Sequence, residues 1–163
     1  MSAQPQVTTM NSIAPNSTIT LSDLTSATGL EVFDYLDQSV TIPIVDGVQA
    51  QGDLLVVPRS VIADDIVVSP RPRRVPVPAS GIELLRSAAG GNPHTLVAEA
   101  GMCTWATTIR DEKGLALGLL RTDVTAYLIH PEHGATGIAP GEYVIRRQRE
   151  AGGLFGRVHL IAD

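Results

Sequence analysis

Residues 125–150 read TAYLIHPEHGATGIAPGEYVIRRQRE, and this stretch decides the fold class. Residues 125–130 form an apolar run that predicts a strand, which ends at the turn-forming Pro131. Pro140-Gly141 is a second turn signal, and residues 142–150 after it form the longest strand candidate in the chain. Short apolar runs that are each bounded by Pro or Gly are typical of antiparallel β proteins.

The same pattern of short apolar runs and turn residues begins near residue 39 and continues to the end of the chain. Strands are predicted at 39–45, 54–58, 66–68, 95–99, 105–109, 115–120 and 157–161, whereas 82–86 fits a strand or one helical turn. Residues 69–78 carry four prolines at even positions, which predicts an extended surface loop or an edge strand. The fold class predicted is mainly β, a small antiparallel barrel or sandwich, with a cupin-like arrangement as one form.

The N-terminal part of the chain has a different composition. Residues 1–19 are rich in Ser, Thr, Asn, Gln and Pro, which predicts a flexible arm. Ser22 can cap a helix, and Leu30, Phe33 and Leu36 recur near helical spacing, so one short helix is predicted between about 22 and 38. The domain organisation predicted is therefore an arm at 1–19 and a single mainly β domain at 20–163.

Composition and charge restrict the class of protein. With 44% apolar residues in 163, the chain can bury a core, and 4% aromatics means that aliphatic side chains build it. The net charge of −5 argues against a general polyanion binder. The preference for Arg over Lys is typical of a GC-rich coding sequence and favours a bacterial origin.

The N-terminus and the cysteine content indicate a compartment. The first residues contain no basic segment followed by an apolar one, so they do not resemble a secretory signal. No apolar run reaches the roughly 18–20 residues that span a bilayer. Cys103 is the one cysteine and cannot form an internal disulfide, so we expect it to be a small buried side chain. We expect a soluble, cytoplasmic protein that does not bind membranes.

His130-Pro131-Glu132-His133 is the one short-range histidine pair in the chain. Two imidazoles and a carboxylate within four residues suit a divalent metal such as Zn, Ni or Fe. The alternative is a plain polar turn, and the sequence favours it because three ligands are too few for a closed site and Pro131 bends the chain between the two rings. We therefore expect no cofactor, with a divalent metal at this turn as the alternative. Additional ligands for it would be Gln148, Glu150, His94 or His159.

The Pro140-Gly141 turn and the apolar strand after it resemble a segment of cupin-type barrels, in which a His just before such a turn can ligate a metal. The resemblance implies a β-barrel with a metal site. The His-x-His that begins the cupin ligand set occurs nowhere in this sequence.

Residues 52–58, 96–109, 128–134 and 140–150 together resemble a group of small uncharacterised bacterial proteins. The resemblance implies a β fold and a Gly-His-x-His run in the middle strand. We match that run to residues 104–107, where Trp105 and Thr107 stand in place of both imidazoles. Trp105 lies in an apolar segment and is expected to be a core anchor.

Arginines supply an alternative site, an RNA-binding surface built from Arg146, Arg147 and Arg149 with Arg71, Arg73 and Arg74. Strand alternation places Arg146 on one face and Arg147 and Arg149 on the other, which divides the cluster. We therefore favour a solvated strand end over a nucleic-acid-binding surface.

No catalytic motif of the nucleophile-elbow or phosphate-loop type is present. The leading hypothesis is therefore a non-catalytic accessory or assembly module that binds another protein or a second copy of itself. Its contact surface would be residues 1–19 or the loop at 70–78, whose extended backbone suits strand addition. A metal-dependent cupin-like enzyme using His130, Glu132 and His133 is the alternative.

Overall fold

The computed structural model describes residues 18–86 and 91–150, together with the backbone of residues 159 and 160. For residues 149 and 150 the backbone alone is described. Residues 1–17 of the flexible arm predicted at 1–19 lie outside these ranges. Residues 18 and 19 of that predicted arm are described, and Ile19 is buried, so the folded part begins earlier than expected.

The described chain is mainly β, as predicted. Its helices are α1 (Leu21–Thr28) and α2 (Arg59–Ile62), the second followed by a 3₁₀ turn at Ala63–Asp65. Its strands, numbered in chain order, are β1 (Ile44–Val45), β2 (Gln49–Gln51), β3 (Leu54–Pro58), β4 (Ile66–Val68), β5 (Val75–Pro76), β6 (Ile82–Leu85), β7 (His94–Val97), β8 (Cys103–Ala106), β9 (Ile109–Asp111), β10 (Ala116–Thr122), β11 (Ala126–His130), β12 (Gly134–Ile138), β13 (Gly141–Arg147), β14 (Arg149–Glu150) and β15 (His159–Leu160).

Two sheets face each other as a sandwich. One has five strands in the order β1-β12-β11-β7-β6, and the other has six in the order β2-β3-β13-β10-β8-β5. All neighbours in the two sheets run antiparallel except β1 and β12, which are parallel. The main core lies between the sheets, because side chains of both pack into one apolar cluster: Leu96 and Leu128 from the first, Leu54, Trp105 and Tyr143 from the second.

The outer face of each sheet is also covered. Helix α1 places Leu24 against Val97 and Tyr127 on the five-stranded sheet. Helix α2 and the β4–β9 ladder cover the six-stranded sheet, where Ile62 and Ile109 pack with residues of β3, β10 and β13. The strands therefore bury side chains on both faces, which explains why several of them are apolar at nearly every position.

Helix α1 is shorter than the sequence predicts. Thr20, not Ser22, is its N-cap, and a capping box joins the Thr20 side chain and Asp23 reciprocally. Gly29 ends the helix with a φ of 72°, a left-handed conformation that glycine adopts without strain. Residues 30–38 were predicted to be helical and instead form turns. The chain also has a second short helix, α2, which the expectation of one helix missed.

Each predicted strand within the fully described ranges contains observed strand residues, but most of the ends differ and two predicted strands, 105–109 and 142–150, each fall on two observed strands. Strands β3 and β4 match the predicted ranges, whereas only residues 44 and 45 of the predicted strand 39–45 belong to a strand. Strand β12 was not predicted, because its Gly134 and Gly137 weaken the β signal. Residues 69–78 were predicted to be an extended surface loop or an edge strand. They contain the edge strand β5, which pairs with β8. No helix among the described residues is long and apolar enough to cross a membrane.

Trp105 is the core anchor that the sequence predicts, and it fixes the neighbouring strand. A Cβ atom added at Gly118 of β10 would lie 2.3 Å from Cζ2 and 2.6 Å from Cη2 of the Trp105 indole. Real Cβ atoms do not approach so closely, so the ring occupies the space that only a glycine leaves open.

We predict that Gly118→Ala lowers the free energy of unfolding by about 1–3 kcal/mol, because the indole must leave its place in the core. Urea denaturation of the variant measures the loss. The matched control repeats the substitution in a Trp105→Phe background, where the smaller ring makes the alanine less costly. Equal costs in the two backgrounds would contradict the proposed clash.

Candidate metal site

A tight hairpin loop carries the predicted metal ligands. Pro131, Glu132 and His133 connect β11 to β12, and His130 and Gly134 pair with each other at the base of the loop. Gly134 has a φ of 78°, the left-handed conformation that closes three-residue hairpin loops. The ligand atoms of His130, Glu132 and His133 lie within 4.8 Å of one another. The bend at Pro131 therefore does not separate the two rings, contrary to the sequence analysis.

A third histidine joins this pair from the neighbouring strand. The ring centroid of His94, the first residue of β7, lies 4.4 Å from that of His130, and the His130 ring lies 4.5 Å from that of His133. Strand alternation places His94 on the face of Leu96 and His130 on the face of Leu128, so both rings point between the sheets. Three of the four histidines in the chain thus form one row at an end of the sandwich.

The six-stranded sheet holds His94 from the opposite side. Asp53 Oδ1 lies 2.7 Å from His94 Nε2, and Gln51 Oε1 lies 3.1 Å from His94 Nδ1. Both residues belong to the β2–β3 hairpin and are buried. The Gln148 side chain donates to the backbone oxygens of Gly52 and Leu54, which fixes this hairpin. Gln148 is therefore a support of the site, not the additional ligand that the sequence analysis considered.

The hydrogen bonds of Gln51 define the protonation of His94. Gln51 Nε2 donates to the backbone oxygen of Leu128 over 2.9 Å, and a carbonyl can only accept. The amide oxygen of Gln51 must then face His94, so His94 Nδ1 carries a proton and donates it. One further proton lies between His94 Nε2 and Asp53. Both ring nitrogens of His94 are therefore engaged in hydrogen bonds, and His94 would become a metal ligand only if Nε2 gave up its contact with Asp53.

Asn92 orients the two inner residues of the hairpin loop. Its side-chain Nδ2 donates to Glu132 Oε1 over 2.8 Å, while its backbone oxygen lies 3.2 Å from His130 Nε2. His130 Nδ1 accepts from the Glu132 N–H at 3.1 Å, so Nε2 is the protonated nitrogen that donates to Asn92. A ring whose second nitrogen donates to a backbone carbonyl is the usual arrangement of a metal-ligating histidine.

The loop is bounded on the outside by residues 33–35. The Phe33 N–H donates to the Pro131 oxygen over 2.9 Å, and the Tyr35 hydroxyl donates to the Glu132 oxygen over 3.1 Å. His130 is fully buried, Glu132 is partly buried and His133 is exposed. The residues therefore form a site that is dry on the His130 side and open to solvent on the His133 side.

This donor set fits a borderline divalent metal. Two imidazole nitrogens and one carboxylate oxygen suit Zn²⁺, Ni²⁺ or Fe²⁺, whereas Mg²⁺ and Ca²⁺ prefer oxygen donors alone. Three protein ligands with one exposed member leave coordination positions for water or a substrate, as in catalytic rather than structural zinc sites. A bound ion there would need His130 Nδ1 to exchange its hydrogen bond with the Glu132 N–H for a bond to the metal.

Sequence patterns identify the hairpin loop but not the residues that surround it. Asp53, Gln51 and Asn92 carried no signal of their own, and His94 was named only as a distant additional ligand. Trp105, in the segment matched to the Gly-His-x-His run, lies on β8 of the six-stranded sheet.

The other predicted residues lie apart from this site. Arg146 and Arg147 face opposite sides of β13, as predicted. Arg146 Nη2 lies 3.4 Å from Asp111 Oδ2. The side chains of Arg149, Glu150 and His159 lie outside the described residues. Cys103 is buried as predicted, and burial raises the pKa of its thiol to about 12, so it is unreactive at neutral pH.

A comparison with models of known protein families identifies the family of this chain. Residues 50–148 match the model of a domain of unknown function, DUF8820. The chain belongs to this family. The matched range contains Gln51, Asp53, Asn92, His94 and the hairpin loop, so the whole site is a feature of the DUF8820 region. No curated protein and no solved structure matches the chain.

We predict that Asp53→Ala lowers the free energy of unfolding by about 1–3 kcal/mol, because His94 Nε2 loses its buried partner. Urea denaturation measures the change. Asp34→Ala is the matched control, since Asp34 is exposed and its removal should change the free energy by less than about 0.5 kcal/mol. Equal effects of the two substitutions would show that the His94–Asp53 contact contributes nothing specific.

Proposed function

We propose that the protein binds one divalent transition-metal ion at His130, Glu132 and His133 and acts as a metal-dependent enzyme. The observation that carries the proposal is the convergence of three separate segments on this loop: β2–β3 with Asp53, β7 with His94, and the β11–β12 hairpin itself. A polar cluster of this kind between two apolar sheets is costly to bury, and metal binding is a reason to retain it.

The supporting residues favour a metal over a plain polar turn. Asn92 holds both His130 and Glu132, the pattern expected of a residue that orients metal ligands without touching the metal. A protein-binding module is the leading hypothesis from the sequence, because no catalytic motif is present and residues 1–19 and 70–78 offer extended backbone for strand addition. Asn92 and the His94–Asp53 pair support the hairpin loop through contacts that the sequence does not reveal, and we therefore place the metal hypothesis first.

The exposed position of His133 favours catalysis over a structural role. A closed structural site surrounds its metal with four protein ligands, whereas this loop supplies three and faces solvent on one side. A divalent ion in such a site supplies a Lewis acid for an oxygen ligand. The chain itself supplies the orientation of that ligand set, the dry wall on the His130 side, and the proton held between His94 and Asp53.

We predict one-to-one binding when the purified protein is titrated with Zn²⁺ or Ni²⁺ in a calorimeter. His130→Ala and His133→Ala should each abolish it. Asn92→Ala keeps all three ligands and should weaken binding about 10- to 100-fold. Glu112→Gln is the matched control, because Glu112 is an exposed carboxylate outside the site. Absent binding, or binding that these three variants leave unchanged, would contradict the proposal.

Protein binding is the second proposed function, in the form of self-association at the β4–β9 ladder, which precedes the loop at 70–78 in the chain. A cavity of about 460 Å³ at this ladder is lined by Val67, Ser69 and residues 107–110. Val67 is 72% exposed, and Val61 of the adjacent helix α2 is 66% exposed. Exposed aliphatic side chains beside a concave surface are typical of contact surfaces between proteins.

We predict that the wild-type chain dimerises in analytical ultracentrifugation and that Val67→Asp weakens the dimer, because a carboxylate would be buried at the contact. Val48→Asp is the matched control, since Val48 is 53% exposed and does not line the cavity. A wild-type chain that stays monomeric up to high concentration would contradict self-association through this surface.

A further inference from the structure

A cluster of arginines surrounds one carboxylate on the outer face of the six-stranded sheet. Arg59 Nη1 and Arg74 Nη2 both donate to the same oxygen of Glu142, over 2.9 Å and 3.0 Å. Arg59 begins helix α2, and Arg74 precedes the edge strand β5, so two distant segments converge there. One oxygen of Glu142 thus accepts from two guanidinium groups, whose summed charge exceeds that of the single carboxylate.

The sheet register adds a third arginine to the cluster. Arg121 of β10 pairs with Glu142 on one side and with Thr104 of β8 on the other, so the three side chains share the outer face. Strands β5 and β13 are separated by β8 and β10, a distance of ~14 Å at the usual strand spacing. Arg74 precedes β5, so its side chain must extend across β8 and β10 on the outer face to reach Glu142.

Two polar groups of this cluster lack a hydrogen bond. Arg74 Nη1 and Thr104 Oγ1 are buried, and neither has a hydrogen-bond partner among the described residues. A buried donor without an acceptor costs free energy, and a buried cationic donor costs more than a neutral one. Both groups can donate to an added oxygen atom, so the cluster is deficient in acceptors and in negative charge.

We propose that Arg59, Arg74, Arg121 and Thr104 bind the phosphate group of a small ligand. Three guanidinium groups and one carboxylate leave two positive charges, which a phosphate dianion neutralises. Its several oxygens match the separate donors of Arg74, Thr104 and Arg121, and arginine is well suited to phosphate geometry. The donors face the outer side of the sheet, whereas the histidines lie between the sheets, so this site is independent of the proposed metal function.

Calorimetric titration of the full chain with inorganic phosphate, at ionic strength held constant with NaCl, tests the proposal. We expect saturable binding to one site that Arg74→Gln and Arg121→Gln each weaken about tenfold or more, since each removes charged hydrogen bonds. Arg121 is exposed, so its variant should fold even if the Arg74 variant does not. Arg86→Gln is the matched control, because Arg86 pairs with Glu83 at an exposed position elsewhere.

Two further titrations, one with His133→Ala and one with acetate, test whether the binding is specific to this site and to phosphate. His133→Ala should leave phosphate binding unchanged, which separates this site from phosphate bound to a metal at the hairpin loop. Acetate at the same concentration should bind at least about tenfold more weakly, because it carries one charge and fewer acceptors. Absent binding, binding that Arg121→Gln leaves unchanged, loss of binding in His133→Ala, or equal binding of acetate would each overturn the proposal.

Discussion

The amide of Gln51 joins the two sheets at the end of the sandwich that contains the histidines. Its nitrogen donates to the Leu128 backbone on the five-stranded sheet, and its oxygen accepts from His94 of that same sheet. Because both atoms of the amide are used, its orientation is determined, and with it the proton on His94. Asp53, two residues later, completes the enclosure of the ring. The rest of the site depends on this bridge, since His94 packs directly on His130.

Electrostatics explains why such a site suits a cation. Three imidazole rings in one row would repel each other if all were protonated, and two carboxylates lie at this row, Asp53 against His94 and Glu132 against Asn92. Asp53 is engaged by His94, whereas Glu132 lies with His130 and His133 at the hairpin loop. The Glu132 carboxylate on this partly dry loop would offset part of the charge of a divalent ion bound there. The arginine cluster is the opposite case, rich in donors and deficient in acceptors, on the other face of the second sheet.

The sequence predicts the β class and the metal-ligand loop because both depend on local patterns. Apolar runs and turn residues define the strands, and the histidines of the loop are neighbours in the chain. It does not predict the pairing of Gln51 and Asp53 with His94, because those contacts join residues more than 40 positions apart. Glycine-containing strands such as β12 also escape prediction, since their place in a sheet comes from their neighbours rather than from β propensity. The helix that was expected to continue past Gly29 ends there because a left-handed residue reverses the chain.

The central claim is that the hairpin loop binds a metal through imidazoles. X-ray absorption spectroscopy at the zinc edge, on protein loaded with one equivalent of Zn²⁺, measures the ligand types directly. The account predicts a first shell of nitrogen and oxygen at about 2.0–2.2 Å with the outer-shell scattering of two imidazoles, and no imidazole scattering in His133→Ala, which should not bind the ion. A shell of oxygen atoms without imidazole scattering, or a spectrum that His133→Ala does not change, would contradict it.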